Sequence, residues 1–253
     1  MTGIRRRFPL EAFRHIALDE VGSTNTDALA AARAGDQGLL WITARRQNAG
    51  RGRRGRAWTS ETGNLYATLL LIDPAPIERT ASLPLAVALA VRNAIAAVMP
   101  PGTPPVEVKW PNDILIERKK TCGILLEAEM LPDGKRALVI GIGINIRHKP
   151  DIAQYAVAAL EDYGVTASAE EIFAHLYKEM AHVLETWDEG LGIAEITAQW
   201  RAVACGIGEK ITVNLPNHSI SGRFAGIDDT GLLKLETDDD GTRLIAAGDV
   251  FFG

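Results

Sequence analysis

The amino-acid sequence predicts an α+β protein: a β-sheet with helices on one side, followed by a small C-terminal β-barrel. Three observations carry that expectation. Apolar runs of strand length recur from residue 15 to residue 146, two later stretches have helical period, and after Cys205-Gly206 the pattern becomes short strands split by Gly- and Asp-rich turns. At 253 residues, 47% hydrophobic and 23% charged, the chain can bury a full domain core with a smaller unit appended. The expected division is 1–204 and 205–253.

The elements follow in order. His15 to Val21 reads as a strand, and Ser23-Thr24-Asn25 offers capping side chains to an Ala-rich helix, Thr26 to Ala34, closed by Gly35. Leu39 to Ala44 is a second strand. Arg45 to Gly63 is polar, Gly-rich and aperiodic, hence a loop. Asn64 to Ile72 is a strand and Arg79 to Val98 a long apolar helix ended by Pro100-Pro101. Strands are expected at Val106 to Trp110, Ile114 to Glu117, Gly123 to Leu131 and Leu138 to Ile146. Ala169 to Trp187 carries an apolar stripe at helical spacing, and Ile193 to Val203 continues in helix. Ile211 to Leu215, Ile220 to Ile227, Leu232 to Glu236 and Thr242 to Ala246 form the barrel.

Composition excludes several functions. Net charge is −5, which argues against a surface made for nucleic acid, so no DNA partner is expected. The longest apolar stretch, Leu83 to Met99, contains Arg92 and Asn93 and is too polar to span a bilayer. No apolar segment follows Arg5-Arg6-Arg7, so no secretory signal is read and a cytoplasmic location is expected. Cys122 and Cys205 lack metal or disulfide spacing. His175 and His182 stand seven apart on one helix without further ligands, so no metal site is expected.

The densest chemical signal is Gln47-Asn48-Ala49-Gly50-Arg51-Gly52-Arg53-Arg54-Gly55-Arg56-Ala57-Trp58. It contains a literal GxGxxG, but a strand follows rather than the helix whose free N–H groups such a motif needs, so a dinucleotide fold is rejected. What remains is a glycine-rich backbone carrying permanently charged guanidinium groups, suited to phosphates. A solvated basic loop is the plain alternative. Ser23-Thr24-Asn25, Lys109-Trp110-Pro111-Asn112-Asp113 and Lys120 before Thr121-Cys122-Gly123-Ile124-Leu125-Leu126-Glu127 are each commonplace alone. Simple N-capping, for example, accounts for the first.

Together and in this order, with Gly141-Ile142-Gly143-Ile144-Asn145, these segments resemble the catalytic domain of bacterial biotin–protein ligases. Gly226 to Leu233 and Ala247 to Val250 resemble that family's SH3-like tail. The resemblance covers nearly the whole chain and implies a mixed sheet with helices on one side, a fold shared with lipoate ligases. It also implies a ligase without an N-terminal repressor domain, because the pattern begins by about residue 15. On this resemblance Ser23, Thr24, Asn25 and Gln47 hold the ureido head of biotin. Arg51, Gly52 and Arg53 lie on a loop that orders over biotin and the adenylate. Lys120 meets the biotin carboxylate and then the phosphate. Arg51, Arg53, Arg54, Arg56, Trp58, Asn112, Asp113, Lys120 and Asn145 border the nucleotide.

The expected reaction joins biotin to ATP as biotinyl-5'-AMP, with Mg²⁺ on the phosphates, and transfers the biotinyl group to a lysine of a biotin carboxyl carrier protein. Arg53, Lys120 and Asp113 are the expected catalytic residues, the first two neutralising charge and the last orienting or deprotonating the lysine. The alternatives are a lipoate–protein ligase and, from another class, a nucleic-acid-binding protein using the arginine loop. The C-terminal barrel has two candidate roles, contacting the carrier or closing over ATP. An exposed sheet edge would support a homodimer.

Overall fold

The computed structural model describes residues 7–150, 155–238 and 241–252. Arg5 and Arg6 of the N-terminal basic run lie outside the described residues. The chain runs β1 (Arg14–Val21), α1 (Thr24–Arg33), β2 (Leu40–Gln47), β3 (Leu65–Ile72), α2 (Ile77–Thr80), α3 (Leu83–Ala96), β4 (Val106–Lys109), β5 (Asp113–Ile116), β6 (Lys119–Met130), β7 (Arg136–Ile144), α4 (Ala169–Trp187) and α5 (Ile193–Ala202). It ends in β8 (Lys210–Asn214), β9 (Ser219–Ile227), β10 (Leu233–Thr237), β11 (Gly241–Ile245) and β12 (Asp249–Phe252).

Strands β1 to β7 form a mixed sheet in the order β1-β2-β3-β7-β6-β5-β4. β1 and β2 are parallel across the α1 crossover, and the other pairs are antiparallel. Alternation sorts the two faces. Leu65, Ala67, Leu69 and Leu71 of β3 join Leu138, Ile140, Ile142 and Ile144 of β7 in a core shared with α3, α4 and Trp200 of α5. α3 is almost wholly buried. α4 is amphipathic and begins in a capping box, Glu171 N–H donating to Ser168 Oγ and Ser168 N–H to Glu171 Oε2. The helix expected from Arg79 to Val98 is divided: Pro84 stands in the first turn of α3, where its missing N–H costs no helical bond, and α2 is a separate turn.

The long helices therefore lie on one side. The short α1 lies on the other, where Ala28 and Ala32 pack on Leu40, Ile42, Leu70 and Val139. It covers only one end of that face. The rest is open, and there the sheet has few side chains because Gly141, Gly143 and Gly123 face outward.

Strands β8 to β12 form a five-stranded antiparallel sheet, ordered β11-β10-β9-β8-β12. β12 was not among the expected strands; Asp249-Val250-Phe251-Phe252 ends in two adjacent aromatic residues rather than an alternation of apolar and polar ones. Ile211, Val213, Phe224, Leu233, Leu235 and Val250 join the same apolar cluster as the large sheet. The turn before β10 is keyed to the main body, since Trp110 Nε1 donates to Gly231 O at 3.2 Å. No described helix is long and apolar enough to cross a membrane.

Candidate functional site

One cross-strand row organises the open face. Tyr66 of β3 pairs with Gly143 of β7, Gly143 with Gly123 of β6, Gly123 with Asp113 of β5, and Asp113 with Lys109 of β4. Two neighbouring glycines thus make a bare floor, and an acid and a lysine stand beside it. Trp58 fills the space above the floor. A Cβ on Gly143 would lie 2.6 Å from Trp58 Nε1, and one on Gly123 would lie 2.8 Å from Trp58 Cζ3. Gly141, one step along β7, leaves room for Asn25, whose Oδ1 would be 2.4 Å from an added Cβ.

The nest of neutral polar groups forms where α1 meets this floor. Ser23 occupies the N-cap position of α1, but its side chain makes no capping bond. The cap comes from another strand: Gln47 Oε1 accepts from Thr24 N–H at 2.9 Å and from Thr24 Oγ1 at 3.1 Å. Local N-capping is therefore not what Ser23 does here. Gln47 reaches this point because β2 runs to residue 47, three residues beyond the expected end at Ala44. Gln47 Nε2 donates to Ser60 Oγ at 3.0 Å. Thr68 Oγ1, in an otherwise apolar strand, sits 2.7 Å from both Thr24 Oγ1 and Asn25 Oδ1. Asn25 Nδ2 donates to Glu127 Oε2 at 2.7 Å, and Glu127 also pairs with Arg51 at 3.3 Å. Ser23, Thr24 and Asn25 are buried.

Lys120 reaches the same face through a β-bulge. Opposite β5, Ile114 pairs with Cys122 but Leu115 pairs with Lys120, so Thr121 is the extra residue. Without that insertion Lys120 would point with Cys122 into the core. Its Nζ lies 2.6 Å from Asp113 Oδ1, 5.2 Å from the Tyr155 ring centre and 5.7 Å from that of Trp58. Burial alone would lower the pKa of this ammonium, but the Asp113 carboxylate and Tyr155 outweigh it and hold it above the ordinary lysine value. Lys109 behaves in the opposite way. Burial pushes its pKa down despite the opposing field of Asp113, and its Nζ rests 5.7 and 5.5 Å from the rings of Phe251 and Phe252.

The arginine loop covers the cleft. It closes on itself through Gly52 N–H to Arg56 O at 2.7 Å and a bridge between Arg51 and Ala57, with Arg54 in the left-handed region at φ 57°. Arg53 donates to Asn112 Oδ1 at 3.2 Å, and Asn112 is fixed by donating to Ile124 O at 2.6 Å. The cleft encloses about 1010 Å³ with its open mouth included.

Of the residues expected at the site, Ser23, Thr24, Asn25, Gln47, Arg51, Gly52, Arg53, Arg56, Trp58, Asp113 and Lys120 line this one cleft. Asn112 stands behind Arg53, and Arg54 points to the C-terminal sheet at Asp249. Asn145 is not brought to the lining. It is buried at the end of β7 and its amide donates to Ala158 O at 3.3 Å, so it fixes the segment that carries Tyr155. Lys109, Tyr155, Asp249 and Phe251 also line the cleft and were not expected there. Lys109 is the last residue of β4 and shares with Glu107 the face opposite the buried Val106 and Val108, an alternation visible in the sequence; Asp249 and Phe251 arrive from a separate sheet, and no local pattern places them at the cleft. Among the described residues no three His, Cys, Asp or Glu side chains are grouped to hold a metal.

Comparison with known proteins matches this arrangement. The model of the biotin/lipoate A/B protein ligase family matches residues 21–145, and that of the biotin protein ligase C terminal domain matches residues 206–253. A biotin–[acetyl-CoA-carboxylase] ligase of Paracoccus denitrificans is 36% identical, over 93% of this chain and 99% of its own. The Mycobacterium tuberculosis protein of the same name is 32% identical, over 91% and 86%. Among solved structures, the Aquifex aeolicus biotin protein ligase in complex with biotin and ATP superposes with a TM-score of 0.80 at 29% identity, covering 94% of this chain and 97% of that one. The Leishmania major biotin protein ligase in complex with biotinyl-5-AMP superposes at 0.65 with 27% identity, covering 93% and 99%.

Proposed function

The chain belongs to the biotin/lipoate A/B protein ligase family, and from that premise we propose that it is a biotin ligase, making biotinyl-5'-AMP from biotin and ATP and passing the biotinyl group to a lysine of a biotin carboxyl carrier protein. The observation that carries this reading is the junction of a neutral hydrogen-bonding nest, Ser23, Thr24, Asn25 and Gln47, with a cationic wall, Arg51, Arg53, Arg56, Lys109 and Lys120, across a floor of bare glycine. Residues 1–204 are the biotin- and ATP-binding unit and 205–253 the appended barrel.

A cyclic urea offers two N–H donors and one carbonyl acceptor, and the nest supplies complementary hydroxyl and amide groups. A buried urea needs a partner for each of these polar atoms. The thiophane ring packs beside Trp58, which itself covers the glycine floor, and the valeryl chain leads its carboxylate toward Lys120. That ammonium, kept charged by Asp113, holds the carboxylate against the α-phosphate of ATP. The carboxylate oxygen attacks phosphorus and pyrophosphate leaves. Two anions meet in this step, so fixed cations that need no reorganisation are the principal catalytic contribution. Mg²⁺ enters with ATP as part of the metal–nucleotide substrate, bound by its phosphates.

In the second step the neutral amine of the carrier lysine attacks the anhydride carbonyl, the C–O bond to AMP breaks, and an amide forms with loss of a proton. Asp113 borders this path and orients the amine. The covering loop keeps water from the anhydride. Such an enzyme works where ATP, biotin and carboxylase carriers meet, in the cytoplasm, and binds no DNA. A homodimer would form along the outer edge of β1, which ends the sheet and leaves backbone groups unpaired.

The test is exchange of labelled pyrophosphate into ATP with biotin or lipoate, followed by transfer to a purified carrier domain. Biotin-dependent exchange and a biotinylated carrier are expected. Exchange with lipoate alone would make the protein a lipoate ligase, and neither exchange would overturn the assignment.

A further inference from the structure

Three guanidinium groups of the arginine loop converge on one carboxylate that the loop does not contain. Arg53 Nη2 lies 3.4 Å from Asp249 Oδ1, and Arg54 Nη1 and Arg56 Nη2 lie 3.0 and 3.3 Å from Asp249 Oδ2. Asp249 opens β12, and its side chain is only 16% exposed. Its backbone is fixed by pairing with Asn214 of β8, and the preceding Gly248 packs so closely that a Cβ there would lie 2.6 Å from Val213 Cγ1. Gly248 O adds a fourth contact by accepting from Arg53 Nη2 at 3.2 Å. A strongly cationic loop is thus tied at its tip to a strand of the C-terminal sheet.

Three like charges held together on so short a segment repel one another. One part-buried carboxylate removes part of that repulsion while leaving the cluster with a net positive charge for phosphate. We propose that Asp249 is a positioning residue: it holds Arg53, Arg54 and Arg56 in the closed arrangement, so that the C-terminal sheet acts in the reaction by fastening the lid over the adenylate. This separates the two roles open to the C-terminal unit in favour of closure over the nucleotide.

The experiment compares the parent with Asp249→Asn, which keeps the shape and removes the charge, and with Asp249→Glu, which restores the charge. Two readouts are used. Trypsin cleavage between Arg51 and Arg56 reports loop opening and needs no substrate. Release of biotinyl-adenylate into solution, with KM for ATP and kcat measured separately, rests on the biotin-ligase reading; the parent's own biotin-dependent exchange checks that reading independently. Asp249→Asn should be cut at least tenfold faster, leak adenylate about tenfold faster and raise KM for ATP more than it lowers kcat, and Asp249→Glu should recover most of the difference. Cleavage and leakage equal to the parent's would overturn the proposal. Should Asp249→Asn lower the thermal midpoint, the single variant Arg54→Gln breaks one of the same contacts from the loop side at a residue outside the cleft lining; trypsin cleavage after Arg51 and Arg53, sites this substitution leaves in place, is then the loop readout, and the same two outcomes apply.

Discussion

Gly143→Ala tests the floor of the cleft directly. The added Cβ would lie 2.6 Å from Trp58 Nε1, 2.7 Å from Cε2 and 2.9 Å from Cζ2. Non-bonded carbons rest at about 3.5–4.0 Å, so the indole must lift by about 1 Å. Gly143 lies in an ordinary strand and has no positive φ, so the backbone accepts alanine and the whole effect is steric. Overpacking of this kind costs about 1–3 kcal/mol. In a closed core that cost would appear in folding. Here the indole has an empty cleft above it, so it rises into ligand space and the cost appears in binding. The expected loss of biotin affinity is roughly 5- to 150-fold. Calorimetric titration with biotin measures it, alongside thermal denaturation, which should show little change. A biotin Kd within twofold of the parent's, in a folded variant, would refute the claim that Trp58 rests on Gly143 when ligand binds.

Four further outcomes follow from the same geometry. Lys120→Met should lower biotin-dependent pyrophosphate exchange by roughly 10²–10³, as removal of a preorganised charge-stabilising donor does; a loss below tenfold would count against its role. The raised pKa of Lys120 makes its pairing with Asp113 stabilising below the ordinary lysine value of 10.5, with the contribution fading as pH rises through the higher folded value. The stability gap between parent and Lys120→Met should therefore be flat from neutral pH to about 10 and narrow above that, as read by denaturant unfolding. Lys109, lowered by burial, loses its charge at a lower pH than ordinary lysine. The alkaline limb of kcat/KM for ATP should move up in Lys109→Arg, and an unmoved limb would exclude Lys109 from phosphate neutralisation. Gln47→Leu removes the acceptor for Thr24 N–H and should destabilise the fold by about 0.5–2 kcal/mol besides weakening biotin binding. A parent-like melting curve would show that α1 does not depend on that cap.

The sequence by itself determined most of the succession of strands and helices, with β12 and the break between α2 and α3 as exceptions. The alternation Gly141-Ile142-Gly143-Ile144 already contains a strand with one apolar and one bare face, because successive side chains point to opposite sides. The stripe from Ile172 to Trp187 already contains a helix with one buried face. Other features needed the folded chain, since they are relations between strands rather than properties of any one. No local pattern says that Gln47 caps a helix starting 23 residues earlier, or that Thr121 is an inserted residue that turns Lys120 from the core to the cleft. Nor could spacing bring Asp249 to three arginines nearly 200 residues away: that contact exists because the C-terminal sheet shares one apolar core with the large sheet and is held against it. Periodicity is written along the chain, whereas register, bulges and docking are settled by what each strand finds beside it.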